Sequence, residues 1–115
     1  MHKRYHLRHT RDIERVRRAG QSRRHPLAVL LFHANDETVS RFGFSASHHV
    51  GNAVVRNRAR RLLREAVRLH LPQIQPGWDC LLIARRETPA ATFAEVEAAV
   101  LQLLQRARML KSDGG

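Results

Sequence analysis

The chain of 115 residues carries a formal net charge of +11 and 43% hydrophobic residues, with a pI near 11.7 and a mean hydropathy of −0.46. That length holds one domain with a real core, and no apolar run approaches the roughly 20 residues needed to cross a bilayer. The single cysteine, Cys80, excludes a disulfide framework and a thiolate metal cluster, while the charge exceeds the magnitude of about 2–8 that suits a small domain and points to a polyanionic partner.

The N-terminal stretch MHKRYHLRHTRD is basic and lacks the apolar core of a signal peptide, so the expected compartment is the cytoplasm. Residues 1–9 are expected to fray. Thr10 is placed to cap a first helix over 11–19, where Ile13, Val16 and Ala19 form a narrow apolar stripe and Gly20 supplies the stop. The polar segment GQSRRHP suits a short edge strand. Leu27 to Ala34, LAVLLFHA, is continuously apolar and is expected to be a central strand. After a turn at 34–37, residues 39–47 alternate, with Phe42, Phe44 and Ala46 on one face and Arg41, Gly43 and Ser45 on the other. These two strands are expected to pair as a hairpin.

A second helix is expected over 52–70. At 100° per residue, Val55, Ala59, Leu62, Leu63, Ala66 and Leu69 fall within an arc of roughly 120°. Arg56, Arg58, Arg60, Arg61, Arg64 and Arg68 share the remaining arc with Asn57, and Glu65 is the lone acid there. Leu71-Pro72 ends this helix and Gln75-Pro76-Gly77 turns the chain. Residues 78–85, WDCLLIAR, read as another central strand, with Cys80 a buried, inert thiol. Thr92-Phe93-Ala94-Glu95 has the capping-box spacing and opens a helix to about residue 107, with Phe93, Val96, Val100, Leu103, Leu104 and Ala107 inward. Residues 108–115 are expected to fray. With no repeat and no interior linker, the fold class is α+β, one domain over 1–115 with helices on a single-layer, mostly antiparallel four-stranded sheet.

Catalysis needs a base, a nucleophile or a metal-bound water. The acids are scattered over turns and helix surfaces, and there is no GxSxG, no oriented Cys-His pair and no glycine-rich phosphate loop. His2, His6 and His9 sit on a terminal segment, and adjacent His48 and His49 cannot both face one site on a strand, so no native metal–imidazole site is expected. The residues describe a binder. Neighbouring guanidinium groups repel one another, so folding alone does not explain six arginines in the thirteen positions from Arg56 to Arg68. Arginine suits RNA because its planar fork makes paired hydrogen bonds to phosphate and stacks on unpaired bases. Asn57 is either a surface residue in a solvated run or a group that orients a phosphate, touches a base edge or accepts a hydrated metal ion.

GNAVVRNRARRLLREA, residues 51–66, following FSASHHV, residues 44–50, resembles the protein subunit of bacterial ribonuclease P. The likeness runs from RHTRDIERVRRAG through GWDCLLIAR to the last helix, covering nearly the whole chain. It implies α-β-β-β-α-β-α order with a left-handed βαβ crossover, as in the second domain of ribosomal protein S5. It implies the small partner of a catalytic RNA that removes the 5′ leader from precursor tRNA, with Mg²⁺ acting through the RNA, no organic cofactor and no catalytic residue in the protein. The implied partners are that RNA and precursor tRNA, one protein per RNA, with no membrane. RNA contact is carried onto Arg56, Asn57, Arg58, Arg60, Arg61, Arg64 and Arg68, and leader contact onto Arg11, Ile13, Arg17, Leu31, Phe44, His48 and His49. A metal ligand in the protein is unassigned beyond Asn57 through an RNA-bound Mg²⁺.

The sequence departs from the family at three places. The first-helix aromatics are Ile13 and Arg17, the strand aromatic is Leu31 beside Phe32, and the family's Ser-Lys-Lys is Ser47-His48-His49. Stacking contributes about 1–3 kcal/mol per base, so charge and apolar contact carry more of the leader here. The histidines imply an RNA affinity that rises between about pH 7.5 and 6. Competing classes are a ribosomal RNA-binding protein, a DNA-binding regulator, which lacks the helix and short turn that should precede a recognition helix, and a stand-alone nuclease.

Overall fold

Two continuously apolar segments take the two central positions of the sheet, where a strand is buried on both faces. The computed structural model describes residues 1–112. Its elements are α1 (Thr10–Ala19), β1 (Gln21–His25), β2 (Ala28–Ala34), β3 (Arg41–Ser45), α2 (Ala53–Arg68), β4 (Trp78–Ala84) and α3 (Phe93–Arg106), with short 3-10 turns between several of them. The strand order is β1-β2-β4-β3, with β1–β2 and β2–β4 antiparallel and β3–β4 parallel. The α+β class, the four strands, their mainly antiparallel pairing and the element order are as expected.

The expected β2–β3 hairpin does not form. The hairpin is β1–β2, closed with His25 opposite Ala28, and β3 lies beside β4 at the far edge. The polar alternation of Arg41, Gly43 and Ser45 fits an edge, whereas β4 is apolar almost throughout. Arg41 stands in register with Asp79, and their ion pair rewards the parallel arrangement.

Helices cover both faces of the sheet. Ala28, Leu30, Phe32, Phe42, Cys80, Leu82 and Ala84 meet α2 and α3 in the main core. On the other face Leu7, Val16 and Leu81, with Ile13, Leu31 and Ile83 around them, seat α1 in a smaller cluster. α3 has its capping box, with Thr92 and Glu95 bonded reciprocally, and Ala99 joins its inward stripe. In α1, Thr10 is not the cap: His9 holds that position, its carbonyl accepting from Asp12 and Ile13. Gly20 does stop the helix, and a Cβ there would sit 2.4 Å from the Val16 carbonyl oxygen.

Residues 1–9 are not frayed. A 3-10 turn over Lys3–Tyr5 leads to an isolated parallel bridge between His6 and Phe42, the Leu7 amide donates to the Phe42 carbonyl at 2.9 Å, and the Leu7 side chain is buried. This segment lies along β3 because an unpaired strand edge is satisfied by backbone partners. At the other end Met109 is fully buried and Leu110 bridges Ile74, so 108–111 are also held. The fraying expected of residues 113–115 lies outside the described residues.

Candidate nucleic-acid interface

α2 carries the arginine cluster, and its start is set by two residues. Gly51 takes φ +152°, where a Cβ would come 2.7 Å from Val55 Cγ1, and Asn52 Oδ1 caps the helix by accepting from the Val55 amide at 3.0 Å. Ala59, Leu63, Ala66 and Val67 are buried. Val67 replaces Leu69 in the expected inward set: the buried arc is centred on Ala59 and Leu63, so Leu69, still in helical conformation with its amide on the Glu65 carbonyl at 3.2 Å, lies off that arc and is 46% exposed.

Opposite this core, Asn57, Arg58, Arg61, Arg64 and Arg68 are exposed and Arg56 and Arg60 half-buried. They are not equivalent. Arg56 Nη1 donates to the Gly51 carbonyl at 3.0 Å. Arg58 is turned toward the neighbouring loop, where its Nε donates to the Pro89 carbonyl at 3.1 Å. Arg60 donates to Asn57 Oδ1, and Arg68 forms a two-pronged pair with Glu65. That hydrogen bonding lowers the Glu65 carboxyl pKa and raises that of Arg68. Arg61 and Arg64 make no hydrogen bond or ion pair among the described residues, and Arg64 lies 5.7 Å from the centre of the Phe44 ring.

The basic face continues onto a segment that sequence reasoning had left unstructured. His6, Leu7, Arg8, Phe42, Gly43, Phe44 and Arg64 line a cleft of about 150 Å³. His6 Nε2 is buried there without a hydrogen-bond partner among the described residues. The His6 pKa is lowered from 6.5, first by burial and then by Arg8, Arg64 and the N-terminal ammonium. Among residues 2–9 only Tyr5 and Leu7 are not basic, and Leu7 was the one aliphatic residue that hinted at docking.

The residues carried over for leader contact do not form one surface. Ile13 and Leu31 are brought together on the α1 side, around Val16, Leu81 and Ile83. Arg17 is exposed on α1. Arg11 lines a polar cavity of about 320 Å³ with Asp36, Glu37 and Arg41. Phe44 is on the opposite face, packed against the main core. His48 and His49 occupy an exposed 3-10 turn, with ring centres 4.3 Å apart, so they do not sit on a strand as assumed.

A buried charge network was also missed. Asp79, 1% exposed, accepts from Arg41 Nε and Nη2 and from Asn35 Nδ2, each at 2.8 Å. Arg41 reaches Asp12 at 3.5 Å and thereby ties α1 to the sheet. The pKa of Arg41 is raised, mainly by hydrogen bonding to Asp79. Cys80 is buried, which pushes its thiol pKa up. Among the described residues no group of three or more His, Cys, Asp or Glu is arranged to hold a metal ion. Asn57 Oδ1 already accepts from Arg60, so an ion approaching it meets a guanidinium. No described helix is long and apolar enough to cross a membrane.

A family model for ribonuclease P matches residues 1–108. The chain is 44% identical over 112 residues to the ribonuclease P protein component of Roseiflexus castenholzii, covering 96% of this chain and 92% of that one. Its fold is similar to the solved RNase P protein of Staphylococcus aureus, with a TM-score of 0.84 at 27% identity over 93% of this chain and 98% of that one. The RNase P protein of Thermotoga maritima gives a TM-score of 0.80 at 30% identity over 88% and 96%.

Proposed function

The chain belongs to the ribonuclease P protein family, and from that premise we propose that it is the protein subunit of ribonuclease P. In this reading it binds the catalytic RNA and the 5′ leader of precursor tRNA and promotes removal of the leader to leave the mature 5′ end. The observation that carries it is the outward arginine stripe of α2, where Arg61 and Arg64 make no hydrogen bond or ion pair among the described residues and Arg56 and Arg60 flank them. An RNA backbone supplies the missing counter-charge, and release of its condensed counterions drives association.

The protein residues position and do not react. The α2 arginines hold phosphates through paired hydrogen bonds, which set register without reading sequence. Ile13, Leu31 and Arg17 offer the leader an apolar floor and a cation in place of aromatic stacking, and Arg11, Phe44, His48 and His49 lie outside that floor. In this reading Mg²⁺ would be held by the RNA and would supply Lewis-acid activation of water there, with no residue of this chain assigned to hold it. Cytoplasmic residence, and one protein per RNA, are part of the same proposal.

The test is multiple-turnover cleavage of a precursor tRNA by a bacterial ribonuclease P RNA at low Mg²⁺, with and without this protein. Strong stimulation at the mature 5′ end is the expected result. No stimulation, together with tight binding to ribosomal RNA, would assign the chain to structural RNA binding instead.

A further inference from the structure

A second cationic surface lies at the edge of the sheet farthest from β3. β1 is that edge, and it carries Arg23 and Arg24. Two cations remote in sequence converge on its last two residues. Arg106, in the last turn of α3, donates through Nη1 to the Arg24 carbonyl at 2.7 Å, and Arg85 donates through Nη1 to the His25 carbonyl at 3.5 Å. Arg23 lies 5.2 Å from the centre of the Phe32 ring, and Arg86 follows Arg85 in the exposed exit from β4.

That exit is fixed rather than loose. Thr88 Oγ1 donates to the Leu27 carbonyl at 2.7 Å and accepts from the Arg85 amide at 2.8 Å, fastening it to the β1–β2 turn. None of these five arginines forms an ion pair among the described residues, whose pairs all lie elsewhere. The nearest acid in sequence, Glu87, is exposed and unpaired among them. Side chains already occupy the carbonyls of Arg24 and His25, so this end of the strand is a poor template for an added protein strand. Each guanidinium has five N–H donors, and most of them remain free.

We propose that this β1-edge surface is a second RNA contact, holding the phosphodiester backbone of a separate segment of the partner RNA; it rests on the RNA-binding function proposed above. Three interstrand steps separate β1 from β3, roughly 15 Å. The arginine stripe of α2 approaches this surface through Arg58, whose Nε donates to the Pro89 carbonyl three residues beyond Arg86, so the two surfaces adjoin at that loop. Binding at one raises the effective concentration of RNA at the other.

The test uses the full-length protein and an in vitro-transcribed bacterial ribonuclease P RNA. Arg24→Gln/Arg86→Gln removes two charges whose side chains make no hydrogen bond among the described residues, and an unchanged melting temperature checks that the fold survives. The expected slope of log affinity against log salt falls in magnitude by about 1.4 to 1.8, the increment for two single-strand or duplex phosphate contacts. Hydroxyl-radical footprinting loses one discrete protected segment and keeps the others, and Arg24→Lys/Arg86→Lys restores both readouts. An unchanged slope and footprint, while Arg60→Ala/Arg64→Ala lowers both, overturns this inference and leaves the proposed function standing. Uniform weakening of every protected segment also overturns it, as an effect of overall charge. Unchanged slopes in both variants overturn the two proposals together.

Discussion

Asp79 is the residue on which the pairing of β3 turns. Its carboxylate is out of water and takes both prongs of the Arg41 fork in addition to Asn35. Removing one partner of a buried pair strands the other, at a cost of about 3–5 kcal/mol. Asp79→Ala is expected near the lower end of that range, because Arg41 keeps Asp12 and Glu37 nearby; urea unfolding checks it. His70 gives a pH-dependent counterpart. Its pKa is raised from 6.5, first by the hydrogen bond to Glu97 and then by Gln73. A raised histidine pKa stabilises the fold fully below pH 6.5, and the contribution is lost as pH rises through the folded value. The difference in melting temperature between the wild type and His70→Ala is therefore expected to be larger near pH 5.5 than at pH 8.5. An equal difference at both pH values would remove the His70–Glu97 pair as its source. His6 has the opposite sign: its lowered pKa penalises protonation as pH falls below 6.5, so the His70 effect is read as a difference between variants.

At the scale of the element, α2 has two incompatible-looking faces on one cylinder. Ala59, Leu63, Ala66 and Val67 bury one side and leave the other to like charges that only Glu65 locally offsets. Arg60→Ala and Arg64→Ala are each expected to weaken RNA binding and to lower the salt slope by about 0.7 to 0.9, with melting temperature unchanged. Filter binding across a salt series checks this, and unchanged slopes would put the RNA elsewhere. Arg68→Ala is expected to matter less, because Glu65 already neutralises that guanidinium. The 3.6-residue period made this helix and its charge legible from the sequence. It did not reveal that Arg58 is drawn to the Pro89 carbonyl, a partner thirty-one positions away.

For the whole molecule, the two faces of the sheet are unequally sealed. α3 alone buries Val96, Val100, Leu103 and Leu104 in the main core, whereas α1 buries Val16 as its one apolar side chain. Local opening follows the density of buried apolar contact, so the α1 amides are expected to exchange hydrogen at a lower opening free energy than those of β4 and α3. Native-state hydrogen exchange measures this, and uniform protection across the three would contradict it. The smaller α1 cluster also contains Ile13 and Leu31, so under the proposed function the least sealed part of the fold is the part that would meet the leader.

The sequence by itself determined the helices, the two central strands, the polyanionic partner and the family, because periodicity, capping and the RNR run are properties of neighbours within a few turns of chain. It did not determine which strand lies beside which. A two-strand hairpin is the short-range solution for β2 and β3, and it loses to a register in which Arg41 meets Asp79 thirty-eight positions away. Only the tertiary structure decided that His6 and Arg8 meet Arg64, or that Arg85 and Arg106 converge on β1 from sixty and eighty-two positions off. Charge is counted along the chain, but a binding surface depends on which charges the fold brings within a few ångströms of one another.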